Sequence, residues 1–376
     1  MTKTKRKILI CAALPYANGS LHLGHVAGFI GSDFVARYHR LKGDNVIFVS
    51  GADCYGTPIA IKAAELNVDP KEIALKYAEE FKQTLINGLG ISYNLFTNTL
   101  SPEHHKVAQE LFLDLYNKEY IYKKIQNLPY CESCSRFLAD RYIEGKCPKC
   151  AFEGARGDQC DECGSLMDVK DLIDPKCKIC GNKPIWKDTE HFFLKLSAFS
   201  DKISKWVSES SGWRSNAKNF TEGLLKIGIH DRDISRDSSW GIPVPIEGYE
   251  NKSIYVWFEA VIGYLSASKE YSLNIGQPDL WKNFWENKDA IHYYFHGKDN
   301  IPFHTVIWPS MLMGVGGLTL PTRVYSSEYL IFEGKQFSKS RNWGIWLPEF
   351  LEKYDPDTLR FYLGGLSSIL DKFIDI

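Results

Sequence analysis

Apolar and polar positions change their spacing several times along the first part of the chain. Residues 8–12 form a continuous apolar run, residues 15–21 contain polar positions and a glycine, residues 22–41 have helical spacing, and residues 46–50 form a second apolar run. Short apolar runs predict strands buried on both faces, and two such strands joined by a helix form a right-handed βαβ unit. The pattern therefore predicts an α/β fold built on a doubly wound parallel sheet.

The remaining pattern divides the chain into four regions. Helices are predicted at 70–89, 103–118, 348–354 and 357–366, and further strands at 292–295 and 329–332. Between residues 119 and 186 the composition changes to Cys, Gly, Asp and Lys, which indicates an inserted module. We predict that residues 1–118 are the first half of the sheet domain, 119–225 the insertion, 226–320 the second half, and 321–376 a region that follows it.

The overall composition narrows the class of protein. The chain has 376 residues with 44% hydrophobic and 24% charged content, enough for one large or two ordinary domains. Its net charge of −1 argues against bulk electrostatic capture of nucleic acid but leaves room for a local basic surface. The apolar run at residues 8–14 is too short to span a membrane, so we expect a cytoplasmic protein without a membrane partner.

Eight of the ten cysteines form four C-x-x-C pairs inside the inserted module, between residues 131 and 180. This spacing indicates zinc, and a thioredoxin-like redox motif is disfavoured because the pairs occur together outside the βαβ pattern. A nested arrangement places the inner pairs on one ion and the outer pairs on another. The predicted ligands are Cys147, Cys150, Cys160 and Cys163 for the first ion and Cys131, Cys134, Cys177 and Cys180 for the second. Full cysteine sets indicate structural ions.

Two histidines stand where the first strand passes into the first helix. His22 and His25 are three residues apart near the predicted helix start, where backbone N–H groups and the helix dipole favour an anion. Taken alone, such a pair is more often an ordinary surface or core feature. In open α/β sheets, however, ligands bind beyond the carboxyl ends of the strands, so this position favours a polyphosphate site.

Residues 15–25, PYANGSLHLGH, resemble the HIGH signature of class I aminoacyl-tRNA synthetases in the form found in methionyl-tRNA synthetases. A second match is GKQFSKS at 334–340, which resembles the KMSKS loop of the same family. The cysteine-rich insertion is also similar to the family's connective insertion. The resemblance covers nearly the whole chain and implies a Rossmann-like catalytic domain that activates an amino acid with ATP. It also implies a helical anticodon-binding domain after this region, which the chain lacks.

The resemblance assigns roles to individual residues, which we take as expectations. The amino acid would contact Leu14, Tyr16, Asp53, Trp257, Ala260, Tyr264 and His304. ATP would contact His22, Gly24, His25, Gly297, Asp299 and Lys339. Charge on the departing pyrophosphate would be stabilised by His22, His25, Lys335, Ser338 and Lys339. Aromatic walls suit a thioether side chain, because sulfur packs favourably against ring edges.

Alternative explanations remain open for several of these residues. Asp53 and Asp299 each precede a predicted helix and could simply cap it. Tryptophan and tyrosine residues such as Trp257 are most often core residues. The sequence also departs from the usual family motifs, which puts strict methionine specificity in doubt. The departures are Tyr55 where many members have His, Glu259 and Val261 where Asp and Pro are usual, and Gln336 where a lysine is expected.

Three functions are compatible with these motifs. The first is the catalytic core of a methionyl-tRNA synthetase, which uses Mg·ATP, contains two structural zinc ions and transfers methionine to the acceptor end of tRNA. The second is a related enzyme that activates methionine or another amino acid for an acceptor other than tRNA. The third is a catalytically silent binding or regulatory module, which the retained histidines, Asp53 and Lys339 disfavour. The first function predicts that His22, His25 and residues 334–340 converge on one triphosphate.

Overall fold

The computed structural model describes residues 5–138, 142–156, 160, 162–163, 169–337, 343–367 and 374–375. Its strands in chain order are β1 Lys7–Ala12, β2 Asn45–Ala52, β3 Leu95–Asn98, β4 Ile121–Cys131, β5 Arg136–Phe137, β6 Ile143–Lys146, β7 Ala155–Arg156, β8 Ile173–Cys177, β9 Ile185–Leu194, β10 Arg232–Asp233, β11 Ser235–Arg236, β12 Ser253–Ile254, β13 Ile291–Gly297, β14 Arg323–Ser327, β15 Leu330–Phe332, β16 Lys335–Gln336 and β17 Ile374–Asp375. Its α-helices are α1 Leu23–Leu41, α2 Thr57–Leu66, α3 Pro70–Lys82, α4 Pro102–Asn117, α5 Ser200–Glu209, α6 Ser215–Ile227, α7 Val256–Glu259, α8 Gly263–Asn274, α9 Lys282–Trp285, α10 Trp308–Val315, α11 Leu347–Lys353 and α12 Pro356–Ser367.

A five-stranded parallel sheet organises the molecule. Its strand order is β14-β13-β1-β2-β3, so the chain builds outward from β1 first to one side and later to the other. The order confirms the predicted doubly wound parallel sheet. Strand β14 belongs to this sheet although it lies after residue 320, where the sequence analysis ended the second half. Its polar sequence, RVYSS, lacks the apolar run by which the other strands can be recognised.

Side chains of β1 alternate between two hydrophobic cores, one on each face of the sheet. Leu9 and Cys11 lie in one core together with residues of α4, α8 and α10. Ile8 and Ile10 lie in the other, with residues of α1 and α3. All four side chains are fully buried. Because successive residues of a strand point to opposite faces, only a continuous apolar run can serve both cores, which explains the pattern of the first strand.

The cysteine-rich insertion is built on a long antiparallel hairpin. Strands β4 and β9 pair from Ile121↔Leu194 to Tyr130↔Ile185 and carry the chain away from the sheet. A small three-stranded sheet of order β7-β6-β8 lies at the far end. Its buried apolar side chains are few, and they pack against cysteines rather than against a larger core: Leu138, Ile143, Ala155 and Leu172.

The candidate site is expected at the carboxyl end of β1, where the strand order reverses. Strands β1 and β13 are neighbours whose carboxyl ends lie at the same edge, with Ala12 opposite Phe295. Ligands of doubly wound folds bind outside this edge, at the point where the order reverses. The loop after β1 and the turn after β13 therefore flank the expected site. No helix in the described part of the chain is long and apolar enough to cross a bilayer.

Candidate active site

His22 and His25 lie together at the N-terminal end of α1. His22 precedes the helix as its N-cap, in an extended conformation, rather than projecting from the first turn as predicted. The backbone N–H of His22 donates to Nδ1 of His25 at 3.1 Å, and the two ring centroids are 3.7 Å apart. Because Nδ1 of His25 accepts this bond, the neutral ring carries its proton on Nε2, the nitrogen that can donate to a phosphate oxygen.

Gly24 allows the His22 ring to lie against the helix. A Cβ atom at position 24 would lie 3.0 Å from Nδ1 of His22, a tight contact from which the ring would have to shift, and 3.5 Å from the ring of Phe337. The glycine of the HIGH-like stretch is therefore explained by the close approach of two rings to the first turn of the helix. A larger residue would displace His22 from the helix end.

Phe337 and residues 345–347 contact the same helix end. The Phe337 ring stacks on the His22 ring with centroids 5.0 Å apart, and the centroid of the Trp346 ring lies 5.9 Å from that of His22. The backbone joins the two segments as well, because Leu23 N–H donates to the Ile345 carbonyl at 3.1 Å and Leu347 N–H to the Leu21 carbonyl at 2.7 Å. The structure therefore brings the first signature into contact with the start of the second.

The cationic part of the second signature is only partly described. Ser338 and Lys339 lie outside the described residues. Lys335 is exposed on the short hairpin β15–β16, with Nζ 5.2 Å from the centroid of the Trp343 ring. Gln336, the departure from the family pattern, is exposed beside it and pairs with Ile331. The contact of Phe337 with His22 brings the backbone next to Ser338 close to the histidine pair.

Asp53 lies beside the first loop, at the end of β2. It forms a parallel bridge with Tyr16, in which Ala17 N–H donates to the Asp53 carbonyl at 2.8 Å and Asp53 N–H to the Pro15 carbonyl at 2.9 Å. The carboxyl group is buried, and burial together with the charge of Glu259 raises its pKa well above 3.8. The helix-cap alternative for Asp53 is wrong, because the N-cap of α2 is Gly56.

We expect Gly56→Ala to destabilise the protein by displacing Tyr16. Gly56 has φ +106°, and an added Cβ would lie 1.9 Å from the Tyr16 hydroxyl oxygen. Gly276→Ala is the matched control, because Gly276 also has a positive φ, of +70°, but nothing lies within 4 Å of the added Cβ. Urea denaturation should show a loss of about 1 kcal/mol for Gly276→Ala and at least about 2 kcal/mol more for Gly56→Ala. Equal losses would contradict the contact with Tyr16.

Three of the predicted amino-acid contacts, Leu14, Tyr264 and His304, form a largely buried wall near the end of β1. Nδ1 of His304 donates to the Asn300 carbonyl at 2.8 Å, so its Nε2 accepts from the Tyr264 hydroxyl at 2.7 Å. Leu14 packs against Gly263, where an added Cβ would lie 2.9 Å from Leu14 Cδ2. Burial lowers the pKa of His304 and raises that of Tyr264, so both groups are neutral. An uncharged wall of this kind suits an apolar side chain.

Trp257 and Ala260 lie at the rim of this wall. Trp257 is 49% exposed and packs against Tyr255 and Phe303, with ring centroids 5.5 Å and 5.2 Å away. Ala260 is half-buried in the turn that joins α7 to α8. Trp257 is therefore not the core residue that its type alone would suggest.

Gly297 and Asp299 follow β13 on the opposite side of the first loop. Gly297 ends the strand next to Gly28 of α1, where an added Cβ would lie 3.7 Å from the Gly297 nitrogen. Asp299 is exposed in a 3₁₀ turn and accepts a hydrogen bond from the Tyr329 hydroxyl. It does not cap the following helical segments, whose N-caps are Pro302 and Ile307. The capping alternative for Asp299 is therefore wrong.

Two departures from the family motif contact consecutive histidines of α4. The Tyr55 hydroxyl is 2.7 Å from Nε2 of His105, and Oε2 of Glu259 is 2.6 Å from Nε2 of His104. Val261, the third departure, is buried in the core. Sequence reasoning assigned α4 no chemistry, and the only available signal was the adjacent histidine pair in its first turn. The structure shows that this helix supplies partners to residues beside Asp53.

The eight cysteines of the insertion are grouped in the two sets that nested pairing requires. Within each set the sulfur atoms lie within 4.8 Å of one another. The shortest separations are 3.4 Å for Cys131–Cys180, 3.9 Å for Cys134–Cys177, 3.8 Å for Cys147–Cys163 and 3.6 Å for Cys150–Cys160. A tetrahedral ion with Zn–S bonds of about 2.3 Å requires sulfurs about 3.8 Å apart. Both sets fit that requirement.

Removing one ligand should remove one ion and leave the other. We expect Cys177→Ala to lower the zinc content from about two ions per chain to about one, because three thiolates hold the ion far more weakly than four. Cys11→Ala is the matched control, because Cys11 is equally buried but belongs to neither set. Elemental analysis of the purified variants measures the content. Two ions in Cys177→Ala, or a loss in Cys11→Ala, would contradict the assignment.

Comparison with known proteins agrees with the fold and the two signatures. The family model described as tRNA synthetases class I (M) matches residues 8–371. The match extends over most of the sequence, including the sheet, the insertion and the region of the second signature. The chain belongs to this family of class I aminoacyl-tRNA synthetases.

Relatives that are similar over nearly the whole of this chain are named methionine–tRNA ligases. That of Thermomicrobium roseum is 51% identical over 360 residues, which cover 95% of this chain and 62% of the relative. That of Dehalococcoides mccartyi strain BAV1 is 53% identical over 96% of this chain and 65% of the relative. The crystal structure of Mycobacterium tuberculosis methionyl-tRNA synthetase bound by methionyl-adenylate matches with a TM-score of 0.72 and 26% identity, over 95% of this chain and 64% of that one. The chain thus spans less than two thirds of the length of these relatives.

Proposed function

We propose that this chain is the catalytic core of a methionine–tRNA ligase, which activates methionine with ATP and transfers it to tRNA. The observation that carries the proposal is the contact between the two signatures, in which Phe337 stacks on His22 at the N-terminal end of α1. Amino-acid activation needs hydrogen-bond donors and positive charge around a triphosphate, and this contact supports a position for the second signature beside the histidines. The relatives' names supply methionine and tRNA as substrates.

In the proposed reaction, a carboxylate oxygen of methionine attacks the α-phosphorus of ATP, which is bound with Mg²⁺. A bond forms between that oxygen and phosphorus, the bond from phosphorus to the β-phosphate oxygen breaks, and pyrophosphate leaves. The chain supplies alignment and charge stabilisation rather than covalent chemistry. His22 and His25 donate to phosphate oxygens, while Lys339, with Lys335 and Ser338, stabilises the charge that accumulates on pyrophosphate.

The remaining residues hold the two substrates. Asp53 receives the ammonium group of methionine beside Tyr16, to which it is joined by the backbone bridge. The thioether lies along the uncharged wall of Leu14, Tyr264 and His304, with Trp257 and Ala260 at the rim. The nucleotide lies along Gly24, Gly297 and Asp299. Support for this placement comes from the carboxyl edge of the sheet, where the loop after β1 and the turn after β13 meet.

The two cysteine sets would hold one structural zinc ion each. Zinc supplies no step of the reaction, because four thiolates leave no open coordination position. It would stabilise the small sheet of the insertion, whose own apolar core consists of few residues. Thiols kept as metal ligands require a reducing compartment, which supports a cytoplasmic enzyme.

Pyrophosphate exchange with each of the twenty amino acids tests the proposal. We expect exchange with methionine at a kcat/KM on the order of 10²-fold or more above that of any other amino acid, because the uncharged, partly aromatic wall suits a thioether side chain. Addition of tRNA should then give methionyl-tRNA. Exchange without charging would favour an acceptor other than tRNA, and no exchange with any amino acid would overturn the proposal.

A further inference from the structure

A second buried carboxyl group, that of Glu259, interacts electrostatically with Asp53, and the proposed reaction does not use it. Glu259 is 0% exposed and Asp53 is 5% exposed. Burial raises the pKa of Asp53, Cys54 and Tyr55, three consecutive residues beside the first loop, and an ionised Glu259 would raise each of them further. Oε1 of Glu259 has no hydrogen-bond partner among the described residues.

The negative charge of two ionised carboxylates at this position would exceed the positive charge of the ligand's ammonium group. The ammonium group of an amino acid carries a single positive charge, and its carboxylate and the triphosphate of ATP bind nearby. With both carboxyl groups ionised, the site would keep one uncompensated negative charge in a buried environment. Like charges that are close and buried resist double ionisation, so a pair of this kind takes up one proton.

Hydrogen bonds show which of the two groups holds that proton. The Ser266 hydroxyl donates to the Gly263 carbonyl at 3.2 Å, so its oxygen accepts from Nδ1 of His104 at 2.8 Å. In a neutral imidazole with its proton on Nδ1, Nε2 is an acceptor. The atom 2.6 Å from that Nε2 is Oε2 of Glu259, which must then donate a proton.

The surroundings of His104 and Glu259 favour the neutral form of both groups. Burial lowers the pKa of His104 to about 4, against a smaller raising effect of Glu270 on α8, and burial raises the pKa of Glu259 well above 4.5. His105, the other titratable neighbour on α4, has a pKa that burial also lowers. Among the described carboxyl groups whose pKa departs from its ordinary value, only those of Asp53 and Glu259 are raised.

We propose that Asp53 and Glu259 share a single proton, and that the chain from Glu259 through His104 and Ser266 to Gly263 keeps it on Glu259. Asp53 is thereby the ionised carboxylate that receives the substrate's ammonium group. Glu259 is a positioning residue: it acts through Asp53 and sets the net charge of the ammonium site at −1. The role of Asp53 rests on the proposed function, whereas the location of the proton does not.

Infrared spectroscopy of the full chain without substrate tests the location of the proton. At neutral pH we expect a carbonyl stretching band from one buried protonated carboxyl group, retained in Asp53→Asn and lost in Glu259→Gln. The reverse pattern would place the proton on Asp53, and the absence of the band in the unsubstituted protein would mean that both groups are ionised. Either result would overturn the proposal, and neither depends on any enzymatic activity.

Two substitutions of His104 test the consequence for substrate binding. His104→Leu removes the acceptor, so the proton of Glu259 is no longer directed away from Asp53, and we expect the KM for methionine to rise about tenfold with a smaller change in kcat. His104→Gln offers an amide oxygen as acceptor and should recover most of that loss. Ser272→Ala is the matched control, because this buried hydroxyl donates only to the Ser268 carbonyl of its own helix.

The outcomes separate this proposal from a packing effect and from the proposed function. If His104→Leu melts at the temperature of Ser272→Ala and keeps the original KM, the chain through His104 does not place the proton. If His104→Gln is as impaired as His104→Leu, the effect is one of volume, and the proposal fails. If the infrared pattern is as expected but no amino acid supports pyrophosphate exchange, the proposed function fails while the location of the proton stands.

Discussion

His25→Ala is expected to slow adenylate formation by about 10²-fold or more, which is the usual consequence of removing one donor from a site that stabilises developing charge. The structure gives the reason for this particular histidine. Its Nδ1 accepts from the backbone of His22, which directs Nε2–H outward from the end of α1 as a donor. Single-turnover pyrophosphate exchange at saturating methionine and ATP isolates the chemical step and measures the effect.

The matched control for this substitution is His230→Ala, which removes an exposed histidine in the loop before β10. It should leave the exchange rate unaltered. We expect Lys339→Ala to produce a loss similar to that of His25→Ala, because both side chains stabilise charge on the same leaving group in the proposed reaction. A His25→Ala variant that folds normally and exchanges pyrophosphate at the original rate would remove the first signature from the reaction.

Asp53→Asn is expected to lower kcat/KM for methionine by on the order of 10²-fold or more, chiefly through KM, because the amide cannot compensate the ammonium charge in a buried site. The loss should not come from unfolding. Burial raises the pKa of Asp53 in the folded protein, so its ionisation opposes folding once the pH exceeds the ordinary pKa of an aspartate. At neutral pH the variant should therefore melt no lower than the original protein.

The same pKa shift predicts a pH dependence. Asp53 must be ionised to hold an ammonium group, and its pKa lies well above 3.8, so kcat/KM for methionine should begin to fall at a higher pH than an ordinary aspartate would give. Asp201→Asn, in an exposed position of α5, is the control and should retain the profile. An Asp53→Asn variant with an unaltered KM would show that another group binds the ammonium.

Local features of this protein could be predicted from its sequence because short-range interactions produce them. The apolar run of β1, the glycine-containing loop and the helix that follows occur close to where the spacing indicated. The cysteines gave a further local signal, since C-x-x-C pairs restrict which sulfurs can share an ion, and the nested sets are those found together in the structure. The polar edge strand β14 was missed because burial on both faces, the signal for a central strand, does not apply to it.

Contacts between distant segments could not be derived from residue patterns. The stacking of Phe337 on His22 depends on how Phe337 and residues 345–347 pack against the start of α1, and the pairing of Glu259 with His104 depends on how α4 and α7 pack on the same face of the sheet. The sequence motifs did suggest that the two signatures converge, but only through resemblance to a family. They gave no indication that His104 and His105 would contact the two substituted positions.

The chain alone thus specified the secondary structure around the first signature, the ligand atoms of the insertion and the candidate groups of the site. Periodicity and ligand spacing act over a few residues, so they can be recognised in the linear sequence. The folded arrangement decided which groups face each other, how deeply Asp53 and Glu259 are buried, and which nitrogen of each imidazole carries a proton. These properties arise from packing between elements that are far apart in the sequence, and burial and hydrogen bonding exist only once those elements meet.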